Sequence, residues 1–149
     1  MRRIKFKGYG VVLPKNTVSF KNHIRYRISE GETQLQLAVA ACEKALKNSN
    51  ISINDIDCIV SASAVGIQPI PCMAALIHEK IAKGTSIPAL DINTTCTSFI
   101  TALDTMSYLL EAGRYERVLI VSCDVASSAL NPNQKESFQL FSDGAVAFV

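Results

Sequence analysis

The 149-residue sequence lacks several features that would assign a protein to a class at once. It contains no tryptophan, and no apolar run approaches the roughly 20 residues that a membrane-spanning helix needs. Its formal net charge of +2 gives no electrostatic reason for binding nucleic acid or an anionic membrane. We therefore expect no nucleic acid and no membrane among the partners of this protein.

The cysteines lack the spacing of a disulfide framework or a metal site. Five are scattered without a Cys-x-x-Cys pair, namely Cys42, Cys58, Cys72, Cys96 and Cys123. An odd, scattered set favours reduced thiols and offers no tetrahedral ligand group for zinc. The pair Gly8 and Gly10 lacks the third glycine of a dinucleotide-binding loop. We expect no metal and no cofactor.

The first residues do not have the pattern of a secretory signal. Arg2 and Arg3 are basic, but Lys5, Lys7 and Gly8 interrupt the apolar run that would have to follow them. Together with the reduced thiols, this pattern predicts a cytoplasmic protein.

Apolar segments alternate along the chain as in a layered α/β fold, and 48% hydrophobic residues suffice for a core. Apolar strands between helices indicate a largely parallel sheet that is covered on both faces. Residues 15–31 read as a polar, mostly irregular stretch, and a polar loop surrounds residues 131–133. The predicted strands are 4–12, 56–62, 89–93, 118–123 and 145–149, and the predicted helices are 33–47, 71–83 and one following Cys96.

The run from Asp91 to Phe99 is the most informative stretch, because it predicts a buried strand that turns abruptly into a helix at Cys96. A thiol beside the first turn of a helix lies at the positive end of the helix dipole, next to unpaired backbone N–H groups. Both features favour the thiolate, and the N–H groups could also hold an oxyanion. The alternative is a buried thiol that packs as a small apolar side chain.

The final apolar run, residues 145–149, reaches the end of the chain without a turn or a polar tail. A natural domain seldom ends within a buried strand. We therefore expect the chain to be one half of a larger unit.

Several motifs together resemble those of the thiolase superfamily, specifically its β-ketoacyl-acyl carrier protein synthase III branch. The branch combines an early Gly-x-Gly strand that ends in Leu-Pro, a strand Asp, a Cys at the next turn, a Phe three residues later, and a distant Phe-Gly-Asp-Gly-Ala. The matching residues are Gly8, Gly10, Leu13, Pro14, Asp91, Cys96, Phe99 and 141–145.

The resemblance implies a thiolase-like fold in which two similar halves form five α/β/α/β/α layers, and residues 1–149 would be the N-terminal half with a mixed, largely parallel five-stranded sheet. It implies a homodimer that performs decarboxylative Claisen condensation in fatty acid or related polyketide synthesis. Cys96 would take an acyl group from acyl-CoA or acyl carrier protein, and malonyl-acyl carrier protein would supply the carbanion. The family's catalytic His and Asn lie in the second half, so the isolated chain is predicted to be inactive.

Departures from the family concern the substrate and the turn. Ser98 and Ser142 stand where glycine is common. The stretch between Pro14 and Ile24 is short, and the tryptophan that stacks on coenzyme A in the family is missing. These departures argue against acyl-CoA as the donor and leave acyl carrier protein as the alternative. Ile70 lies where members reach across the dimer to close the partner's acyl tunnel, although an ordinary loop residue is the alternative.

Two other readings remain open at this point. The chain could be a noncatalytic thiolase-like partner kept for dimerisation, although such partners commonly lose the cysteine that is retained here. A flavodoxin-like binding domain is a third reading, which the missing phosphate loop argues against.

Overall fold

A computed structural model describes residues 3–149. Its main feature is a five-stranded sheet with helices on both faces. A separate two-stranded hairpin adjoins it. The strands are β1 Tyr9–Val12, β2 Asn16–Phe20, β3 His23–Arg27, β4 Cys58–Ser61, β5 Ala89–Asp91, β6 Val118–Asp124 and β7 Gly144–Phe148. The helices are α1 Gln34–Ser49, α2 Met73–Ile81, α3 Ser98–Glu111 and α4 Lys135–Leu140, with 3₁₀ turns at Ile53–Asp55 and Ser127–Ala129.

The strand order in the sheet is β1-β7-β6-β4-β5. β4 pairs in parallel with both β5 and β6, whereas β7 pairs antiparallel with both β6 and β1. Four strands therefore run in one direction and only β7 runs against them. This confirms the prediction of a mixed, largely parallel five-stranded sheet, and it places the carboxyl ends of β4, β5 and β6 side by side.

Helices α1 and α2 cover one face of the sheet. The core on this face includes Ala38, Ala41 and Cys42 of α1, which pack with Leu119 and Val121 of β6. α1 starts with a capping box, in which Thr33 Oγ1 accepts from Gln36 N and the Gln36 side chain accepts from Thr33 N. The small residues Ala41 and Ala45 of α1 let Gly10 of the edge strand β1 approach the helix backbone closely.

Helix α3 covers the other face, where Ala102 and Met106 pack against Val60 and Ile120. The predicted helix after Cys96 is thereby confirmed, and it ends before Gly113, which has a φ of 71°. Within residues 3–149, no helix is long and apolar enough to cross a membrane.

Three segments differ from their prediction. The strand predicted at 4–12 begins only at Tyr9. Residues 15–31 were expected to be mostly irregular, but they contain the antiparallel hairpin β2–β3. Val18 and Phe20 in β2, and Ile24 and Tyr26 in β3, alternate with polar residues, which is a strand signal that the prediction did not use. Both strands are nevertheless largely exposed. Helix α4 follows the predicted loop at 131–133 and has no buried residue, which explains the missing helical periodicity.

We predict that Gly10→Ala destabilises the fold, because a Cβ at this position would lie 2.3 Å from the Ala41 carbonyl oxygen and 2.7 Å from Ala45 N. Overpacking of this kind costs about 1–3 kcal/mol. Gly66→Ala is the matched control, since its nearest neighbour would be 3.7 Å away. Urea titration gives both free energies of unfolding, and equal values for the two variants would contradict the close packing of β1 on α1.

Candidate active site

Cys96 lies on an exposed turn between the end of β5 at Asp91 and the start of α3 at Ser98. The N-cap residue of α3 is Thr97, whose side chain does not cap the helix, and the first helical bond runs from Thr101 N to Thr97 O. The positive end of α3 therefore lies beside Cys96 without a capping group from Thr97. The structure thus places the thiol at a strand-to-helix turn with solvent access.

The turn depends on an unusual backbone conformation at Thr95, which has a φ of 56°. A β-branched residue rarely adopts this left-handed conformation, and holding it costs on the order of 1–3 kcal/mol. Thr95 N donates to Asn93 Oδ1 at 2.9 Å, and Thr95 O accepts from Ser98 Oγ at 2.6 Å and from Ser98 N at 3.1 Å. Hydrogen bonds on both sides of the residue hold this conformation.

The side chain of Ser98, where the family commonly has glycine, is buried and fully used. Besides donating to Thr95 O, its hydroxyl oxygen accepts from Thr94 N at 3.0 Å. Ser98 therefore forms hydrogen bonds across the turn.

Asp91, the strand Asp of the matched motif, anchors the neighbouring helix. Its carboxylate accepts from Met73 N at 3.0 Å and from Ala74 N at 2.7 Å. The N-cap residue of α2 is Cys72, which forms no capping hydrogen bond, so Asp91 supplies the missing acceptor and a negative charge at the helix N-terminus. Its contacts with α2 make Asp91 a structural residue.

Asp143, in the second matched motif, is also structural. It is 2% exposed, and its carboxylate accepts from Ile28 N, Ser127 N and Ser127 Oγ. The adjacent Ser142 Oγ accepts from Tyr26 N at 2.8 Å. The motif therefore joins β3, the 3₁₀ turn after β6 and the start of β7.

The helix after Cys96 contacts β7, the strand that begins within the second motif. Phe99 of α3 and Phe148 of β7 have ring centroids 5.2 Å apart, and Phe6 stacks on the same Phe148 ring at 5.3 Å. Residues that are far apart in sequence thus support the helix that follows Cys96.

The other cysteines are poor candidates for a nucleophile. Cys42, Cys58 and Cys123 are buried, and burial raises the pKa of the Cys42 thiol to about 12 and also raises the pKa of Cys58 and of Cys123. A thiol must ionise to attack, so burial suppresses their reactivity. Only Cys72 shares partial access with Cys96.

The two histidines have neighbours other than Cys96. His78 Nε2 pairs with Thr85 Oγ1 at 3.2 Å beyond the end of α2, and His23 stacks on Phe20 in the hairpin. Within residues 3–149 no group of three or more His, Cys, Asp or Glu side chains could hold a metal ion.

The two hairpin arginines are ties between elements and not freely solvated charges. Arg25 Nε donates to the carbonyl oxygens of Gln139 and Leu140 at 2.9 and 2.8 Å. Arg27 is 6% exposed, donates to Phe138 O at 2.5 Å and lies over the Phe138 ring. Both fix the hairpin to α4.

Three residues that support the turn were not predicted from the sequence. Asn93 lies within the turn, and Gln34 and Asp124 lie on α1 and β6. Asn93 followed by two threonines is a local turn signal that could have been used. Gln34 and Asp124 carry no local signal, because their contacts lie 31 to 89 residues away. Gln34 joins α1 to β6 and to the loop after β4, and Asp124 joins β6 to the same loop.

Comparison with known proteins agrees with this geometry. A family model described as 3-oxoacyl-[acyl-carrier-protein] synthase III matches residues 90–149, which include Cys96. Over these residues the chain is similar to that family. A synthase III from Clostridium perfringens is 34% identical over 166 residues, with 100% of this chain and 51% of that protein covered. A synthase III from Streptomyces coelicolor is also 34% identical, over 84% of this chain and 37% of that protein.

The solved structure of 3-oxoacyl-[acyl-carrier-protein] synthase III from Aquifex aeolicus has a TM-score of 0.90 and 27% identity, covering 97% of this chain and 52% of that one. The priming β-ketosynthase of the R1128 polyketide pathway has a TM-score of 0.86 at 22% identity, which shows the fold alone. The thiolase-like fold predicted from the sequence is therefore confirmed. The chain spans about half the length of the curated relatives that match it over its full length.

We predict that Cys96 is the fastest thiol to react with iodoacetamide, because it is exposed beside a helix N-terminus whereas Cys42, Cys58 and Cys123 are buried. Time-resolved alkylation with peptide-level mass spectrometry measures each site. Cys72, half-buried before α2, is the internal control for simple access. Labelling of Cys96 no faster than that of Cys42 or Cys58 would contradict a preformed, reactive turn.

Proposed function

We propose that this chain is the N-terminal half of a 3-oxoacyl-acyl carrier protein synthase in which Cys96 carries the acyl group. The observation that supports this most is the exposed thiol on a braced strand-to-helix turn, inside the segment that matches the synthase III family. A noncatalytic partner would not need a solvent-accessible thiol at this turn, nor the strained Thr95 that precedes it.

The chemistry has two steps. The Cys96 thiolate attacks the carbonyl carbon of an acyl thioester, the carbon–sulfur bond to the donor breaks, and the donor leaves as a thiolate. Malonyl-acyl carrier protein then loses carbon dioxide, and the resulting carbanion attacks the Cys96 thioester and releases the thiolate. A covalent intermediate divides one difficult step into two easier ones.

The chain carries only part of the required machinery. Cys96 offers the nucleophile and a backbone N–H for the developing oxyanion, and the N-terminus of α3 favours negative charge there. The enolate needs further polar donors, and neither His23 nor His78 is placed to supply them. The proposal therefore assigns acyl transfer to this chain and condensation to the chain together with a second half.

Exposed apolar side chains support the proposal of further layers. On α3, Ile100 is 65% exposed and Tyr108 is 58% exposed, which suits a helix that a second half covers. Ile70, before α2, is 86% exposed and suits an apolar contact between the two protomers of a homodimer. Reduced, buried thiols are consistent with a cytoplasmic enzyme.

A groove between the hairpin and α4 suits an acidic donor. Its volume is about 720 Å³, and its basic lining residues are Lys21, His23, Arg25 and Lys135, against the single acid Glu136. Acyl carrier proteins and the phosphate of their prosthetic arm are negatively charged, so such a groove would steer them electrostatically. The hairpin occupies the region where the resemblance places a tryptophan that stacks on coenzyme A. This chain contains no tryptophan, which favours acyl carrier protein over acyl-CoA as the donor.

We expect the 149-residue chain to accept one acyl group from an acyl thioester on Cys96 and to release no carbon dioxide from malonyl-acyl carrier protein. Intact-mass and peptide-mass measurements detect the first step, and labelled malonate detects the second. Cys96→Ser should abolish acylation, whereas Cys72→Ser should retain it. Absence of acyl-Cys96 would refute the assigned role of Cys96, and carbon dioxide release by the chain alone would refute the division between the two halves.

Charge reversal should test the groove. Lys21→Glu and Lys135→Glu should each slow acylation by acyl carrier protein roughly threefold to tenfold at low salt, because opposite charge steers association. The difference should vanish at about 1 M salt, where screening is nearly complete. Lys47→Glu, at the end of α1, is the control, and acyl-pantetheine is the uncharged comparison substrate. Equal slowing with acyl-pantetheine would contradict electrostatic docking.

A further inference from the structure

Asn93 forms two hydrogen bonds that connect the Cys96 turn to a different part of the fold. Its Oδ1 accepts from Thr95 N at 2.9 Å, and its Nδ2 donates to Ala64 O at 3.1 Å. The first bond restrains the residue immediately before Cys96, whose φ is 56°. The second bond reaches the loop that follows β4.

That loop is itself held by β6 and α1. Asp124 Oδ1, at the end of β6, accepts from Ala64 N at 2.8 Å and Val65 N at 2.7 Å. The buried side chain of Gln34, the first residue of α1, donates to Val65 O at 2.5 Å and to Cys123 O at 2.6 Å. Asn93 therefore bonds to a segment with little freedom to move.

The left-handed backbone conformation of the turn at Thr95 is unfavourable by itself and has to be held by hydrogen bonds. Thr95 is exposed and β-branched, and in the left-handed conformation its Cβ is crowded by the backbone. Loss of the Asn93 bond would leave Thr95 restrained only on its carbonyl side, by Ser98, and would let its φ relax toward the extended region. Because Cys96 follows directly, that rotation would redirect the thiol.

We propose that Asn93 is a positioning residue for Cys96, which holds Thr95 at positive φ and ties the turn to the loop braced by Asp124 and Gln34. The inference rests on the proposed acyl-accepting role of Cys96. Asn93 touches no reacting atom in this role. It sets the direction of the thiol through the backbone of its neighbour.

The test uses Asn93→Ala in the 149-residue chain, with the acylation rate of Cys96 as the first readout. Relaxation of one strained residue should lower this rate at least about fivefold, while the free energy of unfolding changes little. Adding Thr95→Gly to Asn93→Ala should restore most of the rate, because glycine occupies positive φ without strain. Asn93→Asp keeps the acceptor for Thr95 N but loses the donor to Ala64 O, so its rate should be intermediate.

Asn131→Ala is the matched control. Asn131 Oδ1 accepts from Asn133 N at 3.0 Å, the same two-residue pattern in a loop outside the turn, so its loss should leave acylation unchanged. A wild-type rate in Asn93→Ala would overturn the proposal. So would slow acylation that Thr95→Gly fails to restore, because the loss would then be general and not due to Thr95.

A second readout separates this inference from the proposed function. The three-bond coupling constant between the amide proton and the α proton of Thr95, measured by NMR, reports its φ whether or not Cys96 accepts an acyl group. Loss of positive φ in Asn93→Ala supports positioning of the turn even if wild-type Cys96 takes no acyl group, an outcome that refutes only the acyl-accepting role. Retention of positive φ overturns the inference.

Discussion

The loop after β4 depends on carboxylates at the ends of the two strands that flank β4. Asp124 at the end of β6 accepts from the N–H groups of Ala64 and Val65, and Asp91 at the end of β5 accepts from the first N–H groups of α2. A segment without regular structure must find partners for its backbone groups elsewhere, and these two strand ends provide them. The parallel pairing of β4 with both neighbours makes this possible, because it brings the three carboxyl ends to one edge.

The same edge explains how an exposed thiol can be held in a defined direction. Four of the five cysteines are wholly or partly buried, and burial raises the pKa of the three deepest thiols, whereas Cys96 is in contact with solvent. Exposed turns are usually mobile, but this turn begins at a sheet strand and ends in a helix packed on the sheet. Ser98, buried at the start of that helix, bonds back across the turn and limits its freedom from the other side.

Local patterns predicted the elements that bury apolar residues and failed for those that are exposed. The helix after Cys96 and the buried strand at 118–124 follow from periodicity and apolar runs, and both are present. The hairpin β2–β3 is exposed and rich in charge, and its stability comes from ties such as that of Arg25 to α4, 114 residues away. The alternation of Val18, Phe20, Ile24 and Tyr26 is a local strand signal, but no window of sequence contains the contact that fixes the hairpin to α4.

By itself, the sequence determined the alternation of strands and helices, the sharp turn at Cys96 and the family resemblance, because residue types and short spacings are sufficient for these. Only the tertiary structure decided what Asp91, Asp143 and Asn93 do. The sequence marked the two aspartates as parts of a motif, and the structure shows that they satisfy backbone N–H groups of distant segments. The reason is physical: a hydrogen bond between residues that are far apart along the chain exists only after folding has brought donor and acceptor together.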